Sequence, residues 1–173
     1  ASRAGTLVVA CDDPDSTSKP VLLSGIVLAH AVPSLDSLVV VQADTADCGA
    51  HPAGEFADTT VSVHNVGWNT LQSKLELQGG SISGGAGRFS IVGGFSPSQI
   101  AGTGSRYALH FDGQGATTDS TYEATLTFSG SDEAVPGQTA SPGLTLLLRA
   151  SVQSGGTAGV PSERIFVAGF SQG

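Results

Sequence analysis

Residues 59–69 read TTVSVHNVGWN. Alternation puts Val61 and Val63 on one face of an extended chain and Ser62 and His64 on the other. The strand ends at Asn65, and Gly67 stands where a left-handed turn is easily made. The same period of two returns in YEATLTFSG, residues 122–130, where Tyr122, Ala124, Leu126 and Phe128 share a face. A strand with one apolar face must bury it against a second layer. Two such strands in a turn-rich chain predict an all-β sandwich.

Working outward, short runs of β-branched and apolar residues recur between clusters of Gly, Pro, Asp and Ser. They predict strands near Thr6–Ala10, Val21–His30, Leu38–Gln42, Thr59–Asn65, Lys74–Gln78, Arg88–Val92, Tyr107–Phe111, Tyr122–Ser129, Leu144–Val152 and Arg164–Phe170. SGSDEAVPGQTASPG (129–143) reads as a long polar connection. QGGSISGGAG (78–87) is glycine-rich, but it has no Walker lysine and no helix signal after it. It reads as a flexible link between strands rather than a phosphate cradle.

Composition narrows the function classes. Charged residues make up 13% of the 173, too few for long solvent-facing helices, and no sustained helical period or heptad is present. The net charge of −8, with seven scattered Lys and Arg, gives no basic patch for phosphates, so nucleic acid and anionic membrane are not expected partners. The longest apolar run, VLLSGIVLAHAV (21–32), is interrupted by Ser24 and His30 and is too short to span a bilayer. Nothing reads as a signal peptide, and the chain is expected to be a processed or excised piece.

An internal repeat is visible. Residues 4–31 line up with residues 122–152: each is a strand ending near a small residue, an acidic turn, then a long apolar strand. The chain is expected to begin with the end of a domain. Its divisions are an N-terminal β-hairpin (1–32), a sandwich (33–153), and a linker with a C-terminal strand (154–173).

Two stretches resemble the choice-of-anchor D repeat, a relative of the ASPM-SPD-2-Hydin modules of the immunoglobulin-like class. In DCGAHPAGEFADTTVSVHNVGWNTLQ (47–72) the matching residues are Gly49, Gly54, Thr60, Val61, Val63, Asn65, Gly67 and Leu71. The second stretch, 89–133, is similar to the family from its F-x-I start to its Y-x-A-x-L-x-F strand and acidic turn. The resemblance covers roughly Pro33 to Gln153. It implies an immunoglobulin-like sandwich used as a non-catalytic spacer, adhesion unit or scaffold outside the cell.

Several residues invite chemistry. The end of the chain, GVPSERIFVAGFSQG (159–173), resembles the nucleophile elbow of carboxylesterase and acyl-protein thioesterase α/β-hydrolases, with Ser171 at the nucleophile position. An elbow needs a following helix and a downstream acid and histidine, none of which the sequence supplies, so no catalytic residue is assigned. Cys11 and Cys48 are expected to form a disulfide worth about 4 kcal/mol, the alternative being two buried free thiols. Asp12, Asp13 and Asp15 offer clustered carboxylates to calcium, and also the ordinary chemistry of a solvated turn. Trp68, Tyr107 and Tyr122 offer an aromatic platform for a glycan. Otherwise Tyr107 and Tyr122 belong to the core and Trp68 caps one end of the sandwich. His30, His51, His64 and His110 lie apart and make no metal site, and no cofactor is expected beyond the possible calcium.

The remaining signal is at the ends. Leu7 and Val9 lie on one face of the hairpin, Val8 and Ala10 on the other. Ile165, Phe166 and Val167 make the last strand equally apolar. Both ends must hide apolar surface, and strand addition to a neighbouring copy does this. The expected function is a self-associating subunit of a filament, surface layer or adhesin. The alternatives are a glycan- or calcium-binding accessory module and a serine esterase fragment.

Overall fold

The computed structural model describes residues 1–10, 12, 14–15 and 18–154. The protein is an all-β sandwich with a two-stranded hairpin leading into it. The hairpin is β1 (Ser2–Ala10) and β2 (Ser18–Ile26), antiparallel over nine register pairs. The sandwich follows as β3 (Pro33–Ser34), β4 (Ala43–Pro52), β5 (Thr59–Asn65), β6 (Leu75–Gly84), β7 (Phe89–Ile91), β8 (Ser98–Ile100), β9 (Ser105–Phe111), β10 (Ser120–Asp132) and β11 (Leu144–Gln153).

One sheet runs β4-β11-β10-β6-β8 and the other β3-β5-β9-β7. The order is immunoglobulin-like, with the first strand split between the sheets as β3 and β4, but β8, at the edge beside β6, follows β7 in the chain rather than preceding it. Among the described strands all pairings are antiparallel except that of β4 with β11, which is parallel over eight register pairs. β3 reaches only Asn65 and His64 of β5, so Thr59–Val63 have β9 on one side and, among the described residues, no strand on the other.

The core follows from the alternation. β10 and β11 turn Ala124, Leu126, Phe128, Leu144, Leu146, Leu148, Ala150 and Val152 inward, each no more than 3% exposed. β5 and β9 answer from the other sheet with Val63, Tyr107, Leu109 and Phe111. Aromatic rings bridge the layers: Tyr107 lies 5.1 Å from Phe128, and Phe111 lies 5.6 Å from Tyr122. Full burial of one such side chain contributes about 1.5–3 kcal/mol, so these strands carry the stability of the fold.

The expected strands at Thr59–Asn65 and around Tyr107, Tyr122 and Leu144 are present. Leu38–Gln42 is corrected: it lies in the loop between β3 and β4, with Leu38 85% exposed. Side chains hold that loop. The buried Ser34 Oγ donates to the Val39 carbonyl and accepts from the N–H groups of Asp36 and Val41. The Asp36 carboxylate takes the N–H groups of Leu38 and Val39, which hold its pKa below the usual value. QGGSISGGAG is also corrected, since its first seven residues are the second half of β6, followed by a 3-10 turn at Gly85–Gly87. Its glycines serve contact: a side chain at Gly80 would run into the ring of Phe95. β2 ends at Ile26, short of the expected His30, and the expected C-terminal strand lies outside the described residues.

Candidate assembly surface

β2 continues through residues 27–32 into the sandwich, and this tether is firmly held. Ala29 bridges to Gln72: its N–H donates to the Leu71 carbonyl, and its carbonyl accepts from Ser73, each at 2.8 Å. Asp132, 2% exposed at the end of β10, accepts four hydrogen bonds. They come from Ala31 N–H (2.7 Å), His30 Nδ1 (2.6 Å), Thr139 N–H (3.2 Å) and Thr139 Oγ1 (3.0 Å). Burial pushes the Asp132 carboxyl upward, but these donors outweigh it and hold the pKa below its ordinary value.

Asn65 ties the next link. Its Oδ1 accepts from Val32 N–H at 2.8 Å and from Gln72 Nε2 at 3.2 Å. Its Nδ2 donates to the carbonyls of Ser73 and Ile100. Asn65 thus joins the tether, β5, the approach to β6, and β8. Gly67 then takes a φ of 69°, as the turn requires.

Beyond the tether no described residue covers the hairpin. Every residue of β1 and β2 is exposed. Register pairs share a face, so Leu7, Val9, Val21 and Leu23 lie on one side, and Val8, Pro20, Leu22 and Ile26 on the other. Leu22 is 84% exposed and Ile26 66%. This is a ribbon apolar on both faces, with both outer strand edges unpaired among the described residues. An isolated two-stranded hairpin is marginal in water. The repeat seen in the sequence also has a structural counterpart: β10 and β11 form a hairpin of nine register pairs, but theirs is buried in the sandwich.

The other candidate residues separate. Cys48 is a buried free thiol whose Sγ takes a weak hydrogen bond from Thr59 Oγ1 at 3.9 Å, and burial raises its pKa. Its expected partner Cys11 lies outside the described residues, as does Asp13. Among the described residues no group of three His, Cys, Asp or Glu is placed to hold a metal ion. Ser171, Ile165, Phe166 and Val167 also lie outside the described residues.

Tyr107 is 7% exposed, which removes it from any surface platform. Tyr122 packs on Phe111 and under the Arg88 guanidinium, and Trp68 packs beside Gly102. The histidines stay apart: His30 faces Asp132, and His110 faces Asp58 at 2.8 Å on the surface. No helix among the described residues is long and apolar enough to cross a membrane. No family model matches the chain, and no curated protein matches it.

Proposed function

We propose that the protein is a non-catalytic structural module that self-associates by β-strand addition through its β1–β2 arm. One observation carries this: a nine-pair β-ribbon, apolar on both faces and exposed among the described residues, on a tether held by Asn65 and Asp132. Contiguous exposed apolar surface of this kind marks an interaction site. The free strand edges supply the backbone donors and acceptors that strand addition uses. The resemblance to choice-of-anchor D repeats supports placing such a module in an extracellular filament, surface layer or adhesin.

Light scattering after size exclusion tests the proposal over a concentration series. The full chain is expected to form multimers. A chain lacking residues 1–26 is expected to be monomeric with the parent's thermal midpoint, because the sandwich core uses nothing from the arm. A full chain that stays monomeric at high concentration, or a truncated chain that assembles equally well, overturns the reading.

A further inference from the structure

We infer that the acceptor for the arm is the open side of the sandwich between β4 and β5 of a second copy. The inference rests on the self-association proposed above and goes beyond it by naming the receiving surface. At this side the sheets part around a cleft of about 490 Å³. Its lining is mostly polar, with Leu35, Ala46, Val61 and Leu146 as its apolar part, so a ribbon would be received chiefly by backbone pairing along the β5 edge. Beside it, Thr59–Val63 of β5 have, among the described residues, no strand on the edge away from β9, because β3 stops at Ser34. β4 is the poorer acceptor of the two edges. Two of its N–H groups are already taken by its own carboxylates, Thr45 by Asp44 and Gly49 by Asp47, and Gly49 bends the strand with a φ of 81°.

Two further observations converge on this side. Among the described residues outside the arm and its tether, the exposed aliphatic residues occur singly in sequence except for Leu38, Val39 and Val40. That run adjoins Asp36 and Ser37, which line the cleft. An arm lying along β5 would have this run beside it to meet one of its apolar faces. Charge also matches. Asp36, Asp44 and Asp47 rim the cleft, whereas the arm strands carry Arg3 and Lys19, the arm's own acids Asp12, Asp13 and Asp15 being confined in sequence to the turn between the strands. The contact is heterologous, arm of one copy into the side of the next, and each copy keeps one donor and one acceptor. Such a contact propagates head to tail unless it closes into a ring.

Charge exchange tests the pairing in the full-length chain. A donor variant carries Arg3→Glu and Lys19→Glu; an acceptor variant carries Asp44→Lys and Asp47→Lys. Each alone is expected to associate about tenfold more weakly than the unaltered chain, and their equimolar mixture is expected to recover assembly with the two variants alternating, because both mixed junctions are charge-matched and both self-junctions are not. Asp44→Asn with Asp47→Asn retains oxygen acceptors for Thr45 and Gly49. It separates lost charge from a damaged strand, and its thermal midpoint should match the parent's while association still weakens. If the parent assembles and both acceptor variants assemble as well as it does, the β4–β5 acceptor is wrong and the arm's role stands. If the parent is monomeric, the self-association reading fails first.

Discussion

The carboxylate of Asp132 lies 2.6 Å from Nδ1 of His30, joining the end of β10 to the tether of the arm across 102 residues of chain. Asp132 is buried and the His30 side chain is 65% exposed. The acid is therefore the fixed member, and the tether is what it fixes. The neighbouring amide of Ala31 and both donors of Thr139 meet the same carboxylate.

Asp132→Ala is expected to destabilise the sandwich by about 2–4 kcal/mol, because four donors lose a buried charged acceptor. Urea denaturation followed by tryptophan fluorescence measures it. A loss below about 0.5 kcal/mol would mean that water replaces the carboxylate without penalty.

The same group sets a pH dependence. The folded pKa of Asp132 is held below its ordinary value, so its contribution is present above the unfolded pKa and disappears as pH falls through the lower folded one. The parent protein should lose thermal stability below about pH 4 more steeply than Asp132→Asn does. Parallel melting curves between about pH 2 and 6 would show no difference if the carboxylate were unimportant.

Asn65→Leu is nearly isosteric and leaves two carbonyls and the Val32 N–H without their partner. A cost of about 2–4 kcal/mol is expected. Amide exchange should quicken at Val32 and Val66, which pair beside it. Unchanged exchange there would assign Asn65 no part in holding the tether.

Leu7→Lys combined with Leu22→Lys places a charge on each face of the arm. Both positions are more than half exposed, so the unfolding free energy should stay within about 0.5 kcal/mol of the parent while multimers disappear. A comparable loss of stability would show that the hairpin packs on its own sandwich in solution.

Cys48 is expected to react slowly with a thiol reagent in the native protein and promptly in denaturant, because burial raises its pKa and restricts access. Failure to react in denaturant without reductant would identify it as one half of a disulfide.

Legibility in the sequence followed side-chain size. β5 and β10 announce themselves because one face carries Val, Leu, Phe and Tyr. β4, ADTADCGAHP, does not: it buries only Ala46 and Cys48, and its Asp, Gly and Pro mimic turn chemistry. Its place comes from parallel pairing with β11, a long-range contact with no local signal. The run LVVV at 38–41 misleads in the opposite direction, since Ser34 and Asp36 bind its backbone as a loop despite its β-branched residues. The arm is visible as an apolar hairpin, but its lack of cover is a tertiary fact. The cleft between β4 and β5 draws its residues from four separated segments, and their meeting depends on how far β3 extends.

The parallel pairing of β4 with β11 bears on what happens when the protein is pulled. β4 lies near the start of the sandwich and β11 at its end, side by side and pointing the same way. Tension applied at the two ends of the sandwich drags these strands past each other lengthwise. The inter-strand hydrogen bonds along eight register pairs then bear the load together and must fail nearly at once. An antiparallel hairpin pulled from its two open ends gives way one pair at a time. A sandwich held at those two ends would resist extension until a high force breaks it abruptly.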